Sequence, residues 1–591
     1  MAIRPAVKYG GIALIAVGAV AAAAIYLPKT AAIQAFIPQK TQTTNIVVKD
    51  TPAYTYDLPV APENGFSGCP TVLSIPWNGM SDLALANGDV TTTPDSLLKK
   101  YSGGCLKLQR QDDYGVMEAE MLKFSSAYAA NGDESQGAPM FIIMADGAPG
   151  VMRALKPSMD KLKQQAVVID TLGFSYGEDK CMIAGINGNP QNAKGALVAA
   201  VPRDGDENIC VKAASDNGIK INPVNSTYDK DALNLAGVNS FTDADTAYIT
   251  GTSQTRDEVV NGVLTGKKVT VAVNGVATWT PGDVAVFQKG GLQTWASTKD
   301  YNQQMGAALV VNKAWALKHH DFIVGVLRAV DRASVEMRTT PNGLKKAAIV
   351  MAAVHGTASD GSNKPEFWSK YFVGYTDTDK QGNKVALGGS RVVGLAEAQE
   401  YFGLTAGGYN VYKGVYDTFT GYNVKMYPND SKNTPAYEDV VDTQFVTDAM
   451  AGVQVQHNTA AAATSSSASS ITNVVSQQSV SIEFLTGSAT LSPSSLAKLH
   501  QLADSIAMTN LLIKIDGHTD NTGNSDANQD LSVARAQAVA DYLTKLSSVE
   551  FPTSRFQVTG HGDLVPVDPS ADQNSAAARA ANRRVVITLG N

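Results

Sequence analysis

A strand, a polar loop and a helix follow one another directly between residues 511 and 546, and this succession constrains the fold more than any other feature. Residues 511–515 (LLIKI) form an apolar run that ends before Gly517, and the polar loop DGHTDNTG follows. Apolar residues then recur at helical spacing from Leu531 to Leu546. At about 100° per residue, Arg535 lies in the middle of that apolar stripe. The succession predicts an α/β unit in which one arginine faces the interior.

An arginine in such a place needs a partner, because an unpaired buried charge is very costly and arginine keeps its proton. Asp520, in the loop just past the strand, is the natural neighbour. Held side by side, Asp520 and Arg535 could take the ammonium and the carboxylate of a zwitterion, such as an amino-acid headgroup. A purely structural salt bridge between the two is the alternative reading of the spacing.

Four motifs in order characterise the C-terminal region: SIEFLTGSATLSP, IDGHTDNTG, NQDLSVARA and ANRRV. With them, the chain from about Val480 onwards resembles the OmpA-like peptidoglycan-binding domain, which also occurs in MotB-type and Pal-type proteins. The resemblance implies that Asp520 and Arg535 hold the diaminopimelate side chain of the peptidoglycan stem peptide. It also implies a structural role for His518.

The same resemblance assigns further residues to the walls of that pocket. They are Thr519, Asn528, Leu531 and Arg583. The expected fold of residues 479–591 is a small α/β sandwich, with strands at 480–484, 511–515, 556–559 and 585–589. Its helices are expected over 531–546 and from Pro493, where Ser492 is the expected N-cap.

The N-terminal region indicates where the protein resides. Residues 9–27 carry no charge and are long enough to cross a bilayer as a helix, while Arg4 and Lys8 precede them. Residues 1–28 are therefore predicted to be a single-pass anchor in the lipid bilayer of a bacterial inner membrane, with the bulk of the chain in the periplasm. A cleaved signal peptide is the competing interpretation, because residues 21–24 offer small side chains to a peptidase.

Four cysteines support an exported protein. An even number of cysteines suits an oxidising compartment, and their spacing fits no zinc site. The nearest pairs along the chain are Cys69 with Cys105 and Cys181 with Cys210. Four cysteines allow three connectivities, so this pairing is one hypothesis among three.

Composition divides the rest of the chain. Residues 29–64 are predicted to be a stalk, and residues 453–478, which contain AAAATSSSASS, a flexible linker. Between them, residues 65–452 alternate strand-like and helical segments, which predicts a two-lobed α/β region. Strands are expected at 71–76, 140–145, 166–172 and 268–273, and helices at 157–165, 307–319 and 321–337, the first with Pro157 at its first position.

Several segments of the middle region are similar to ABC-transporter periplasmic substrate-binding proteins. These segments are TVLSIPWNGM, LANG, DSLLKKY, QDD and GVATWTP, the first beginning at Thr71 and the last ending at Pro281. The resemblance implies a cleft that closes on a small solute. Four residues at predicted strand exits are candidates to line it, namely Trp77, Asn78, Asp146 and Trp279. For each tryptophan, a place in the hydrophobic core is the alternative.

Other functions find little support in the sequence. The net charge of -7 and the lack of a basic run exclude a nucleic-acid partner. Ser96 and Lys99 match the S-x-x-K motif of penicillin-binding enzymes, and Ser215 to Asn217 match S-D-N, but K-T-G is missing. We therefore expect no enzyme activity, and neither a metal site nor a cofactor is predicted.

The predicted function is that of a membrane-anchored periplasmic protein with two binding sites. The C-terminal domain would bind peptidoglycan non-covalently, and the middle domain an unidentified small solute, with a membrane permease or another envelope protein as a candidate partner. Two alternatives stay open. One is an envelope scaffold that reuses the receptor fold without a ligand, and the other is a wall-modifying enzyme.

Overall fold

A computed structural model describes residues 51–60, 66–458, 471, 474–480, 482, 484 and 488–590. The predicted anchor and most of the predicted stalk and linker lie outside these residues. Within the described ranges, no helix combines the length and the apolar character that crossing a membrane requires. Residues 9–27 are outside the ranges to which that finding applies.

Strands are present throughout the described ranges. In chain order they are β1 (Tyr54–Thr55), β2 (Thr71–Ser74), β3 (Lys107–Arg110), β4 (Met140–Met144), β5 (Ala166–Ser175), β6 (Lys180–Ile183), β7 (Leu197–Ala200), β8 (Lys220–Asn222), β9 (Thr227–Asp229), β10 (Ala232–Gly237), β11 (Ser253–Val260), β12 (Val263–Ala272), β13 (Gly275–Thr278), β14 (Gln293–Ser297), β15 (Gly306–Asn312), β16 (Tyr375–Thr378), β17 (Lys384–Leu387), β18 (Ser390–Val392), β19 (Gln456–His457), β20 (Val474–Val480), β21 (Leu512–Gly517), β22 (Phe556–Gly560) and β23 (Val585–Gly590).

Helices alternate with these strands. In chain order they are α1 (Ser81–Asn87), α2 (Leu97–Ser102), α3 (Tyr114–Asn131), α4 (Ala148–Leu162), α5 (Gly205–Asp216), α6 (Phe241–Ile249), α7 (Gly282–Lys289), α8 (Lys313–Lys318), α9 (His320–Thr339), α10 (Pro341–His355), α11 (Pro365–Val373), α12 (Leu395–Tyr401), α13 (Val411–Met426), α14 (Pro428–Ser431), α15 (Tyr437–Val440), α16 (Gln444–Ala449), α17 (Pro493–Ala507), α18 (Ser525–Leu546) and α19 (Ala576–Asn582).

The middle region is built on two six-stranded sheets, as the predicted α/β class requires. The first has the order β18-β5-β15-β4-β2-β3 and the second the order β14-β6-β13-β7-β10-β8. Strands β2, β3 and β4 run parallel in the first sheet, as do β7, β8, β10 and β13 in the second. The chain passes from the first sheet to the second after β5 and returns after β14. Two lobes are thus joined by two crossings, residues 176–179 and 298–305.

Each lobe contains one disulfide. Cys69 is bonded to Cys105 in the first lobe, and Cys181 in β6 is bonded to Cys210 in α5 in the second. The nearest-neighbour pairing is therefore confirmed. The bonded residues are 36 and 29 positions apart, so each disulfide stabilises its own lobe and neither joins the two lobes.

The terminal domain has a four-stranded sheet covered by two helices. Its strand order is β20-β23-β21-β22, in which β21 is parallel to β22 and antiparallel to β23. Ile513 and Ile515 of β21 are fully buried, as is Val539 of α18. The predicted start of α17 is confirmed, because the Ser492 side chain accepts a hydrogen bond from the amide of Ser495 ahead of Pro493 in the first turn.

Two predicted elements differ from the structure, and a third extends beyond the described residues. Residues 306–312 form strand β15, which pairs with β4 and β5 and is wholly buried, so only Lys313–Lys318 of the predicted helix is helical. Pro157 lies inside α4, which begins nine residues earlier with Pro149 in its first turn. Of the predicted strand at 480–484, Val480 ends β20, which pairs with β23, and residues 481 and 483 lie outside the described residues. For β15, packing between two neighbouring strands outweighs the local preference for a helix.

Two sets of contacts connect the ends of the middle region with the rest of the chain. The short strands β1 and β19 pair in antiparallel fashion, Tyr54 opposite His457. The terminal domain packs against both lobes: the Tyr409 hydroxyl donates to Asp504 at 2.5 Å, and the Ser476 hydroxyl to the carbonyl of Asp216 at 3.2 Å. The amide of Gln303, in the second crossing, donates to the carbonyl of Met508 at 3.0 Å.

Candidate functional site

The first candidate site lies where β21 ends and α18 begins to cross it. Gly517, the last residue of β21, is essential to this crossing. A Cβ atom at this position would lie 2.1 Å from the carbonyl oxygen of Ser532 in α18. Only glycine allows the strand and the helix to approach so closely. The close crossing brings the loop after β21 beside the middle of α18.

Asp520 is held in that loop as a carboxylate. Its Oδ2 atom lies 2.5 Å from Nη1 of Arg583, and its Oδ1 atom accepts a hydrogen bond from the amide of Thr522 at 3.0 Å. Partial burial raises the pKa of Asp520, but the hydrogen bonds from Arg583 and Thr522 outweigh it, so the pKa lies below its ordinary value. The carboxylate is therefore charged at neutral pH and suited to an ammonium group.

Arg535 faces inward, as the helical spacing predicts, and is 7% exposed. Its guanidinium lies 4.9 Å above the ring of Phe484, and its Nε donates to the carbonyl of Ser488 at 3.2 Å. Burial lowers the pKa of Arg535, and the nearby Asp520 acts in the opposite direction. The structural salt bridge considered between Asp520 and Arg535 is not the one observed, since the ion pair of Asp520 is with Arg583.

The other residues that are predicted to bind peptidoglycan lie around Asp520, Arg535 and Arg583. The Asn528 side chain donates to the carbonyls of Asp520 and Thr522 at 3.3 and 3.2 Å and so fixes the loop. Thr519 donates its amide to Gly562 at 2.9 Å, and Leu531 is half-buried on α18. The pocket therefore combines one carboxylate with two guanidinium groups. No spacing in the sequence indicates that Arg583 is the partner of Asp520 or that Phe484 is the partner of Arg535.

His518 has a structural environment. Its ring stacks on that of His561 with 5.0 Å between the ring centres, and Nε2 of His561 lies 2.9 Å from Asp516. Burial, reinforced by the neighbouring Arg584, lowers the pKa of His518 to about 4. The imidazole of His518 is thus neutral at physiological pH and enclosed by the fold.

A second candidate site is a cavity of about 280 Å³ between the two lobes. Its walls come from the carboxyl ends of three parallel strands of each sheet, which is where α/β proteins commonly bind ligands. The lining residues that lie within three positions of the ends of those strands are Ile75, Asp112, Gly147, Val201, Asn239 and Trp279. Arg153, Arg203, Glu118 and Asp204 add charge to the same walls.

Of the four residues predicted to bind a solute, one lines the cavity wall and three lie in the protein interior. Trp279 lines the cavity, stacks near Phe241 and donates its indole N–H to the carbonyl of Pro76 at 3.1 Å. Trp77, Asn78 and Asp146 are fully buried and are not among its lining residues.

Each of these interior residues is hydrogen-bonded at the boundary between the lobes. Trp77 donates to Asp179 at 3.2 Å, and Asn78 donates to Glu178 at 3.2 Å. Asp146 accepts from Gln304 at 2.7 Å. Contact of these residues with a solute stays a prediction.

The residues considered for acyl transfer have structural partners. The Ser96 hydroxyl accepts from the amide of Lys99 as the N-cap of α2 and donates to the carbonyl of Thr93. The Lys99 ammonium donates to the carbonyl of Gly103 at 2.7 Å rather than to Ser96. A serine that is activated by a lysine requires a direct contact between the two side chains.

Comparison with known proteins concerns chiefly the terminal region. The OmpA family model matches residues 483–583. The outer-membrane lipoprotein YfiB of Pseudomonas aeruginosa is 35% identical over 100 residues, which is 17% of this chain and 56% of that protein. The peptidoglycan-binding protein ArfA of Mycobacterium tuberculosis is 35% identical over 109 residues, which is 18% of this chain and 32% of that protein. The chain therefore covers less than two thirds of the length of either relative.

Solved structures match both regions. The cell wall anchor of the type VI secretion system (T6SS) from Pseudomonas aeruginosa is 32% identical, with 20% of this chain and 86% of that one covered and a TM-score of 0.18. The periplasmic nitrate-binding protein NrtA from Synechocystis PCC 6803 is 10% identical, with 66% and 89% covered and a TM-score of 0.42. The motifs, the sheet with its two helices and the match to the family model together identify residues 483–583 as an OmpA family domain.

Proposed function

We propose that the terminal domain binds peptidoglycan non-covalently by holding the diaminopimelate zwitterion of a stem peptide. The observation that supports this most is the set of three charges around the loop after β21. Asp520 offers a carboxylate to the ammonium group, while Arg535 and Arg583 offer donors to the carboxylate. Charge-assisted hydrogen bonds of this kind contribute about 1.5 to 3 kcal/mol each.

Cosedimentation of the full chain with purified sacculi tests this proposal. Asp520→Ala and Arg535→Ala should each reduce binding about tenfold or more, because each removes one half of the zwitterion's partners. Asp541→Ala is the matched control, since Asp541 is an exposed carboxylate on the same helix, hydrogen-bonded only to Gln537 among described partners. Retention of both pocket variants on sacculi at the level of the control would refute the proposed role of the two charges.

We further propose that the middle region is a solute receptor without enzymatic activity. The observation that favours a receptor over a scaffold is that strand ends from both lobes converge on one cavity. The structural roles of Ser96 and Lys99 support binding without acyl transfer. Labelling of Ser96 by a β-lactam would contradict this proposal, and stabilisation of the middle region by a small metabolite would support it. A ligand at about 100 times its dissociation constant should add about 2.7 kcal/mol to the free energy of unfolding.

A place at the inner membrane, with a permease or another envelope protein as partner, is proposed from the sequence alone. The uncharged residues 9–27 support it. Extraction of cell membranes with alkaline carbonate distinguishes the two interpretations of that segment. A retained anchor leaves the chain in the membrane pellet, whereas a cleaved signal peptide releases it.

A further inference from the structure

Carboxyl groups with unsatisfied oxygens lie at the boundary between the lobes, next to the wall of the cavity. Asp146, Asp179 and Asp206 are fully buried, each 0% exposed. Oδ1 of Asp146, Oδ1 of Asp179 and both carboxylate oxygens of Asp206 have no hydrogen-bond partner among the residues that the structure describes. A buried acceptor without a donor is costly, and a buried unpaired charge more so.

Neutral side chains around these carboxylates also present acceptors. The Asn208 amide donates to the carbonyl of Asp146, and the Gln304 amide donates to the Asp146 side chain. The carbonyl oxygens of the Asn208, Gln304 and Asn302 side chains are buried and have no donor within the described part of the chain. Three amides and three carboxylates thus leave only acceptors unsatisfied, so the group that would satisfy them is a donor.

Few protein cations are available to fill this role. Lys180, the fully buried lysine next to Asp179, lies 2.5 Å from Asp283 and donates to the carbonyl of Glu178 at 2.8 Å. On the cavity wall, Arg203 pairs with Asp430 at 3.0 Å and lies over the ring of Tyr427. Arg153, also on the wall, acts to lower the pKa of Glu118, which burial raises to about 7, and its own Nε is a buried donor without a partner among the described residues.

These acceptors come from both lobes and from both crossings. Asp146 belongs to the first lobe, and Asp206 and Asn208 to the second. Asp179 lies in the first crossing, and Asn302 and Gln304 lie in the second. A ligand that bridges these residues would therefore favour the arrangement in which the two lobes lie together.

The cluster lies next to the cavity wall and has aromatic neighbours. Asp204 lines the cavity and precedes Gly205, where a Cβ atom would lie 3.0 Å from Oδ1 of Asp146. Trp77 donates its indole N–H to Asp179, and Trp279 lies on the cavity wall beside Phe241. Aromatic rings next to carboxylates favour organic cations through cation–π attraction.

We propose that the interlobe site binds an organic cation with several N–H donors, of the class of primary di- and polyamines. This inference rests on the proposed role of the middle region as a solute receptor. Without a cation, the buried carboxyl groups bind protons, as burial and their mutual repulsion raise the pKa of both Asp146 and Asp206 well above its ordinary value. Binding of the cation therefore releases protons and strengthens as the pH rises towards neutral.

A thermal-shift series on the full chain tests this. The probes are 1,4-diaminobutane, spermidine, nitrate, sulfate, glucose, Mg²⁺ and Ca²⁺. Stabilisation by the amines, with apparent affinity rising at least threefold from pH 6 to pH 7.5, is the expected result. Stabilisation by an anion or a sugar alone would support a solute receptor but contradict a cation as its ligand. Stabilisation by a divalent metal alone would contradict an organic cation as the ligand. No response to any probe would contradict both proposals.

Variants locate the site within the molecule. Asp206→Asn should weaken amine binding at least tenfold, because it removes the carboxylate with two unsatisfied oxygens. Asp82→Asn is the matched control. Asp82 is as buried as Asp206, has one unsatisfied oxygen and has a raised pKa. Its charged neighbours are Asp170 and Asp331, which do not belong to the cluster. Equal amine affinity in Asp206→Asn and Asp82→Asn would overturn the assignment. If Asp206→Asn does not fold, calorimetry of amine binding to the unaltered chain in two buffers measures proton release instead. Proton release would support the proposal, and its absence would contradict it.

Discussion

At the terminal pocket, the carboxylate of Asp520 lies 2.5 Å from Arg583, whereas at the interlobe boundary neither oxygen of Asp206 has a hydrogen-bond partner among the described residues. Both carboxylates are largely buried, with exposures of 9% and 0%. The first is stabilised by the fold itself, so its pKa is low, and the second is not, so its pKa is high. Burial of a carboxyl group therefore does not determine the direction of its pKa shift until its hydrogen-bond and charged partners are known.

The difference also bears on how a ligand would bind at each site. In the terminal pocket a zwitterion exchanges partners with an existing ion pair, and the net gain is small because one charged contact replaces another. At the interlobe boundary a cation would displace the protons that the buried carboxyl groups hold in its absence, so its binding is linked to protons. The first site therefore exchanges one ion pair for another, and the second exchanges protons for a cation.

Gly517→Ala should disable the terminal pocket alone and have the largest effect. The added Cβ would collide with a backbone oxygen 2.1 Å away, and overpacking of this kind costs about 3 kcal/mol. Chemical denaturation should show the loss in the terminal domain, with wall binding reduced in parallel. Gly421→Ala is the control, because a Cβ at Gly421 of α13 would meet no atom within 4 Å and should be neutral or slightly stabilising. A terminal domain of unchanged stability in Gly517→Ala would contradict the close crossing.

A change from pH 7 to pH 5 should shift the stability of the two regions in opposite directions. In the middle region, burial raises the pKa of Asp170 to about 8 and those of Asp179 and Glu207 to about 7. These folded-state values exceed the unfolded ones, so the folded state binds protons first and gains stability as the pH falls from the folded pKa towards about 4. Each gains on the order of 2 kcal/mol by pH 5.

Buried histidines act in the opposite sense. Burial lowers the pKa of His355 to about 3 and that of His518 to about 4, so each histidine lowers the stability of the folded state as the pH falls below about 6.5. In the middle region the loss from His355 offsets about one of the three carboxyl groups, which leaves a net gain. In the terminal domain the loss from His518 is on the order of 1 kcal/mol, and the raised pKa values of Asp504 and Glu550 act against it. Calorimetry at both pH values should show the melting transitions shifting apart, and a parallel shift would contradict the contrast.

Arg583→Gln should have the smallest effect, and it measures how far the internal ion pair of Asp520 competes with a ligand. The Arg583 side chain is 49% exposed, so its pairing with Asp520 contributes about 0 to 1 kcal/mol. Its removal takes away one donor for the ligand carboxylate and frees Asp520 for the ammonium group. We expect sacculus binding to change less than threefold, against tenfold for Arg535→Ala. A loss as large as that of Arg535→Ala would show that the donors of Arg583 to the ligand outweigh its competition for Asp520.

The sequence predicted the terminal pocket better than the interlobe site, for a physical reason. The inward position of Arg535 follows from helical periodicity, and the glycine and polar residues after β21 indicate a loop. Local patterns of this kind depend on neighbours in the chain. The pairing of Asp520 with Arg583 joins residues 63 positions apart, and no periodicity encodes it.

In the middle region the decisive contacts are all long-range. Residues 306–312 resemble a helix locally but become a strand because β4 and β5 flank them. Trp77 and Asp146 were predicted at strand exits, where they indeed lie, but whether such a residue faces a cavity or the interior depends on the opposite lobe. The carboxylates Asp179 and Asp206 carried no sequence signal, because acidic residues in loops and first helical turns are common.

The pairing of β1 with β19 determines how force would pass through the molecule. Because Tyr54 lies opposite His457, the chain enters and leaves the middle region at one point. Tension between the segments before β1 and after β19 would therefore load that short ladder. Because the terminal domain also packs against both lobes, tension applied through it reaches the lobes through those contacts as well.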